Sequence, residues 1–171
     1  MIKLTMPDGS IREESESLDG LALAKSISNS LAKKAIALKV DGEVVDLATV
    51  LDKDVAVEIL TANTQDGLEL LRHDAAHVMA EAVQELFPGT QVTIGPVIEN
   101  GFFYDFARSE PFHLEDLEKI EAKMKEIVDR NEPITREVWD RDEAIAYFKK
   151  IGEEYKAEII SSIPEGEDVS V

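Results

Sequence analysis

In a chain of 171 residues with three histidines and no cysteine, the grouping with evident chemistry is His73-Asp74-Ala75-Ala76-His77. On a helix these two imidazoles stand about 40° apart around the axis and roughly 6 Å apart along it. Three uses are open on the residues alone. They can be two partly exposed histidines on a helix surface. They can share a metal ion, as histidines at i and i+4 do. The pattern then approaches the His-Glu-x-x-His of zinc peptidases, with Asp74 in the Glu place and a shorter reach. A third ligand is needed, and His113 is the only other histidine, so acidic side chains would have to serve. Third, a neutral imidazole near pH 7 can take a proton from water as a general base. The lack of cysteine excludes a disulfide framework, a thiolate metal site and a thiol nucleophile.

The elements that must hold these residues can be read from pattern. Asp66 with Glu69 three residues later predicts a capping pair, and Pro88-Gly89 ends the helix. Leu68, Leu71, Ala75, Val78, Met79, Ala82 and Leu86 form its main apolar stripe, opposite the histidines. Leu70, Ala76 and Ala80 lie beside the histidines, where a purely solvated face would carry Lys and Glu. That side is expected to line a cleft or a second packing surface. Downstream, Gln91 to Ile94 is followed by a Gly95-Pro96 break, then by Val97-Ile98-Glu99 and Phe102 to Phe106 around Asn100-Gly101, a strong hairpin signal. Leu117, Ile120, Met124, Ile127 and Val128 make 114–130 an amphipathic helix, with Glu121-Lys125 as an i, i+4 pair and His113 as its boundary residue. Pro133 is expected to start a short strand to Trp139, which packs under the next helix. Asp140 and Glu143 are expected to form a capping box for a helix through Lys150, closed by Gly152. Residues 63–171 thus read as an α+β domain.

Residues 1–62 differ in pattern and charge. They carry 7 basic and 11 acidic side chains, whereas 63–171 carry 11 and 25, so most of the formal charge of −18 lies in the second part. Ile2, Leu4 and Met6 alternate with Lys3 and Thr5, and Pro7-Asp8-Gly9 turns the chain back to Ile11. A helix is expected from Leu21 to about Lys34, interrupted near Ser28-Asn29-Ser30. Ile36, Leu38 and Val40 turn through Asp41-Gly42 to Val44-Val45, and Val55, Val57 and Ile59 make a last strand. The order β-β-α-β-β-β predicts a ubiquitin-like β-grasp over 1–62. No apolar run reaches membrane length and no secretory signal precedes the first strand, so a cytoplasmic protein without membrane contact is expected. The acidic balance argues against capture of nucleic acid by long-range attraction alone. Lys25, Lys33, Lys34 and Lys39 are the RNA-contact candidates of the β-grasp, with a solvated face as the simpler reading.

Arg72-His73-Asp74-Ala75-Ala76-His77, followed by Ile94-Gly95-Pro96-Val97-Ile98-Glu99-Asn100-Gly101-Phe102-Phe103-Tyr104-Asp105, resembles the editing domain of bacterial threonyl-tRNA synthetases. The opening Met-Ile-Lys-Leu-Thr-Met-Pro-Asp-Gly-Ser resembles the TGS module that precedes it, and residues 153–160, Glu-Glu-Tyr-Lys-Ala-Glu-Ile-Ile, match a further stretch. His-x-x-x-His alone would be weak, because alanyl-tRNA synthetases share it. The resemblance implies a TGS β-grasp domain followed by an α+β editing domain of the threonyl/alanyl-tRNA synthetase type. It departs from the family in two places. The chain stops before the family's Cys-x-x-x-His element, so it is expected to be an N-terminal fragment, inactive or weakly active by itself. Asp74 stands where many relatives carry serine; it points away from the histidine pair on the helical wheel, so a small effect is expected.

What the resemblance implies about activity can be stated concretely. A ligase choosing threonine gains only about 1–3 kcal/mol against serine from one methyl group, and a second site that hydrolyses seryl-tRNA(Thr) closes that gap. His73 and His77 are assigned to water and the terminal ribose, Lys156 to a cation facing substrate, Tyr104 to a hydroxyl, and Gly95 and Pro96 to substrate binding. No metal and no cofactor is expected within these residues. ATP, Mg and zinc are expected in the aminoacylation part of the full-length enzyme, with the acceptor end of tRNA(Thr) as partner and a homodimer formed through the absent domains. The competing readings are a module that only binds RNA or a partner, and a metallohydrolase built on the histidine pair.

Overall fold

The computed structural model describes residues 1–132, 135 and 137–171. It divides into two compact units, Met1–Leu71 and Arg72–Val171.

In the first unit β1 (Ile2–Thr5) and β2 (Ile11–Glu14) form the expected hairpin. Its turn closes through a 2.9 Å bond from Gly9 N–H to the Met6 carbonyl, with Gly9 at φ +80°. After β3 (Leu18–Asp19) come α1 (Gly20–Ile27) and α2 (Asn29–Ala32). Ser28 divides the helices where expected: its backbone is extended and its hydroxyl accepts from Leu31 N–H at 3.0 Å. Then follow β4 (Ala35–Val40), β5 (Glu43–Val45), β6 (Val50–Leu51) and β7 (Val55–Thr61). The main sheet has the order β2-β1-β7-β4-β5, with β1 and β7 parallel, while β3 and β6 pair separately. Ile2, Leu4, Leu23, Leu38, Leu51, Val55 and Val57 close the core between sheet and α1. Gly20 is what lets α1 come this close, since a Cβ there would meet the Leu38 side chain at 2.6 Å. This is a β-grasp. Lys39 is not a free cation of its sheet, because its ammonium binds Asp66 Oδ2 at 2.6 Å.

Helix α3 (Gln65–Leu86) starts differently from expectation. Thr64 Oγ1, not Asp66, accepts the Gly67 N–H, at 3.1 Å. Asp66 is drawn to Lys39 and Glu69 to Gln65, so the predicted Asp66–Glu69 pair does not form. Gly67 is fixed by close approach, since a Cβ would lie 2.1 Å from the Thr61 carbonyl oxygen.

The second unit continues with β8 (Gln91–Val92), β9 (Val97–Ile98), β10 (Gly101–Phe102) and β11 (Phe106–Ala107). β9 pairs with β10 across Glu99-Asn100, and β8 pairs with β11. The expected strand Phe102–Phe106 is therefore two short pieces. The stretch between them is tied by Asp105 N–H to the Ile94 carbonyl at 3.1 Å and Thr93 N–H to the Asp105 carbonyl at 3.3 Å. The remaining elements are α4 (Leu114–Arg130), β12 (Val138–Asp140), α5 (Arg141–Lys150), α6 (Glu154–Ser161) and β13 (Asp168–Ser170), with β12 paired to β13. His113 is the N-cap residue of α4, as its place predicts, and its N–H reaches the Asp116 carboxylate at 3.0 Å. The beginning of the strand expected from Pro133 falls on Pro133, Ile134 and Arg136, outside the described residues. Asp140 caps α5 by accepting from Asp142 and Glu143 N–H. Trp139 packs edge-on to Tyr147 of α5, ring centres 5.0 Å apart.

Two apolar stripes are narrower than their sequence patterns. Of the α4 set, Ile120 and Ile127 are buried and Met124 packs against them, but Leu117 and Val128 are exposed. On α3, Leu68 and Leu71 are exposed, while Ala76, Ala80, Ala82 and Val83 are buried. The side beside the histidines is thus covered at Ala76 and Ala80 rather than solvated. Ala82 and Val83 join Ile120 and Ile127 in one core; Ala144, Ile160 and Val169 make another.

Glu85 of α3 and Arg130 of α4 clamp this unit through two hydrogen bonds of 2.6 and 2.8 Å. Hydrogen bonding by the guanidinium holds the Glu85 carboxyl at about 2, against an ordinary 4.5. A carboxyl depressed on folding stabilises fully above its unfolded value and loses that contribution as pH falls through its folded one. Arg130→Ala is therefore expected to lower the melting temperature at pH 7, with the deficit shrinking between pH 4.5 and 2. Parallel melting curves of both forms across that range would contradict the clamp.

Candidate functional site

His73 and His77 stand on α3 with ring centres 4.6 Å apart at 79°. Their Nε2 atoms are 3.1 Å apart, so one ring donates a proton and the other accepts it. Both rings border a cavity of about 620 Å³ in the second unit, together with Asp74, Glu81 and Gln84 of α3, Val92 of β8, Tyr104 of the hairpin and Lys156 of α6. Four of the six residues singled out from sequence, His73, His77, Tyr104 and Lys156, thus meet around one space although 83 positions separate the first from the last.

Each side chain has a local reason for its place. Ala76 and Ala80 on the same side of α3 are buried, whereas the flanking His73 and His77 are exposed. Tyr104 stacks on Phe106, ring centres 4.9 Å apart at 19°. Lys156 reaches its position along the Phe148 ring, 5.4 Å from its centre. Gly95 and Pro96 are not among the lining residues. Gly95 acts behind Tyr104: a Cβ on it would lie 2.1 Å from Tyr104 Cδ2. Close packing, rather than backbone torsion, makes glycine necessary there. Gly95→Ala is expected to displace the Tyr104 ring and cost about 1–3 kcal/mol through overpacking. Unchanged stability together with an unchanged Tyr104 ring environment by NMR would refute this.

The electrostatics favour the neutral form of His77. The His77 pKa is lowered, first by desolvation, then by neighbouring His73 and by Lys156, while Asp74 opposes the shift. Tyr104 keeps its proton, because burial and the nearby Glu153 carboxylate raise its pKa. It is a hydrogen-bond donor, not a base, at neutral pH. Asp74 corrects the expectation drawn from the helical wheel. It lines the cavity and its charge is felt by His77, because the opening spans more of α3 than the narrow arc between the histidines. Among the described residues no three His, Cys, Asp or Glu side chains converge to hold a metal ion. The ligand set required by the metallohydrolase reading is not assembled there.

Glu81, Gln84, Val92 and Glu153 were not singled out from sequence. Glu81 and Gln84 follow His73 and His77 at helical spacing, a signal that was available. Val92 and Glu153 come from other elements and carry no local mark of the site.

Residues 2–61 match the TGS domain, so the first unit is a TGS domain. Over its 171 residues the chain is 74% identical to a threonine–tRNA ligase of Parvibaculum lavamentivorans, covering all of this chain and 26% of that protein. It is 62% identical to a threonine–tRNA ligase of Phenylobacterium zucineum, covering all of this chain and 26% of the relative. For that of Rhodospirillum rubrum the identity is 59%, over all of this chain and 27% of the relative. Over its whole length the chain matches the N-terminal region of these threonine–tRNA ligases, and it spans about a quarter of the length of these curated relatives.

Proposed function

We propose that this chain is the region of a threonine–tRNA ligase that removes serine attached in error to threonine's tRNA, by hydrolysing the ester at the tRNA acceptor end. The observation that carries this reading is the convergence of His73, His77, Tyr104 and Lys156 on one cavity. Ligation of threonine with ATP, and the Mg and zinc expected with it, belong to the remaining three quarters of the relatives' length. So does the expected homodimer contact. Among the described residues no helix is long and apolar enough to cross a membrane.

The chemistry needs a positioned water, a proton acceptor and donors for the developing oxyanion. In the free state the histidine nitrogens satisfy each other. When water enters, the accepting imidazole exchanges its partner's N–H for a water proton and becomes the general base. The protonated imidazole then has the leaving ribose oxygen as its proton acceptor. Lys156 and the Tyr104 hydroxyl supply donors from other elements that line the cavity. Threonyl ester is spared by the space its additional methyl group would need.

The test is deacylation by the full-length enzyme carrying this region. Seryl-tRNA(Thr) should be hydrolysed at least about a hundredfold faster than threonyl-tRNA(Thr), and equal rates would overturn the proposal. The acid limb of the pH–rate profile should lie below the ordinary histidine value of 6.5, because His77 is depressed on folding. Lys156→Met should move that limb upward, since it removes a cation that disfavours protonated His77. A limb at or above 6.5 in the unmodified enzyme would remove His77 from the role of base.

A further inference from the structure

Glu153 takes no part in these proton transfers, yet it sits beside the cavity as a partly unsatisfied carboxylate. One oxygen accepts a short hydrogen bond from Gln84 Nε2. The other is buried and has no partner among the described residues. The backbone around it is fixed: Glu153 N–H donates to the Phe148 carbonyl at 2.9 Å, and the Glu153 carbonyl accepts from Ala157 at 3.1 Å. Glu153 is also the N-cap residue of α6, three positions before Lys156. Its charge reaches Tyr104 as well, one of the two causes that raise the phenol's pKa.

A carboxylate can only accept hydrogen bonds, so it settles which way the Gln84 amide lies. Nε2 must face Glu153, and Oε1 must face away. Gln84 lines the cavity, and no donor among the described residues reaches its Oε1. The site therefore holds an uncharged acceptor with a fixed orientation. Gln84 follows His77 by seven residues, roughly 10 Å along the helix axis. A cavity of about 620 Å³ is of the size that encloses a whole small molecule rather than a single side chain. A ligand with its ester at the histidines reaches Gln84 with another of its parts.

We propose that Gln84 is a substrate-binding residue, its amide oxygen accepting a hydrogen bond from an N–H or O–H group of the aminoacyl ester, and that Glu153 is the positioning residue that aims it. This rests on the hydrolytic reading above. The donor belongs either to the terminal nucleoside or to the amino acid.

The experiment measures seryl-tRNA(Thr) hydrolysis by the full-length enzyme and its Gln84→Ala, Glu153→Gln and doubly substituted forms. Gln84→Ala should raise KM about tenfold, the loss of one good hydrogen bond, with kcat changed less than about threefold. Glu153→Gln, which frees the amide to turn over, should raise KM by a smaller factor. It should add nothing in the Gln84→Ala background, since linked residues are not additive. An unmoved KM in Gln84→Ala, or two independent multiplicative effects, overturns the proposal. Should Gln84→Ala fail to fold, the nearly isosteric Glu153→Gln carries the same KM test. Two substrates then identify the donor. If the Gln84→Ala penalty vanishes with a terminal purine riboside lacking the exocyclic amine, the nucleobase supplies it. If it vanishes with an alanyl ester lacking the hydroxyl, the amino acid does; either result supports the proposal. Hydrolysis by the unmodified enzyme with no KM response in the variants rejects this inference alone. Absence of hydrolysis in the unmodified enzyme rejects both it and the function on which it rests.

Discussion

Replacing His73 with alanine in the full-length enzyme is expected to slow seryl-tRNA(Thr) hydrolysis by about 10²–10⁴, the range for loss of a positioned general acid–base group. Threonine ligation should be unchanged, because that chemistry is expected outside these residues. The size follows from the pairing of the rings. His77 is held by a 3.1 Å contact with His73, and it is His73 that completes the exchange of one proton between the two nitrogens. Without it, His77 keeps its ring but loses the partner that fixes which nitrogen carries the proton. A variant that hydrolyses the ester within threefold of the unmodified enzyme would show that the pair is only a surface feature of α3.

The second large effect lies in the β-grasp. Leu38→Ala is expected to destabilise the first unit by about 2–5 kcal/mol, the range for a fully buried leucine. Leu38 has no solvent exposure and belongs to the cluster that joins β1, β4, β7 and α1. Gly20 lies directly against it, so the hole cannot be filled by a neighbouring Cβ. Chemical denaturation followed by signals from the first unit measures the loss. A change under about 1 kcal/mol would mean that the helix collapses onto the sheet far more readily than this packing allows.

Much of this fold can be read from local patterns. Pro7-Asp8-Gly9 and Asp41-Gly42 place their turns because each needs positive φ, seen at Gly9, Asp41 and Gly42. Ser28 divides the first helical stretch because its hydroxyl serves the backbone better as a cap than within a helix. What periodicity cannot reveal are the two- and three-residue strands β3, β6 and β13, which are too short to show alternation, and α6, whose eight residues were met only as a matching stretch. Stripe width is also invisible: Leu117 and Val128 have helical spacing, yet both stay exposed while Ile120 and Ile127 are buried. The site divides the same way. The histidines are legible from spacing on one helix, whereas Tyr104 and Lys156 were reached only through a family resemblance. Gly95 and Glu153 show their connections, to the Tyr104 ring and to Gln84, only in three dimensions.

On this reading the imidazole pair opens onto a space that receives an aminoacyl ester. The most direct test is a structure of the full-length enzyme with a non-hydrolysable seryl-amide analogue of the charged adenosine. The acyl carbon should lie within hydrogen-bonding reach of a water held by His73 or His77, with Tyr104 and Lys156 in contact with the same molecule. An analogue bound elsewhere, with this cavity filled only by solvent, would contradict the account.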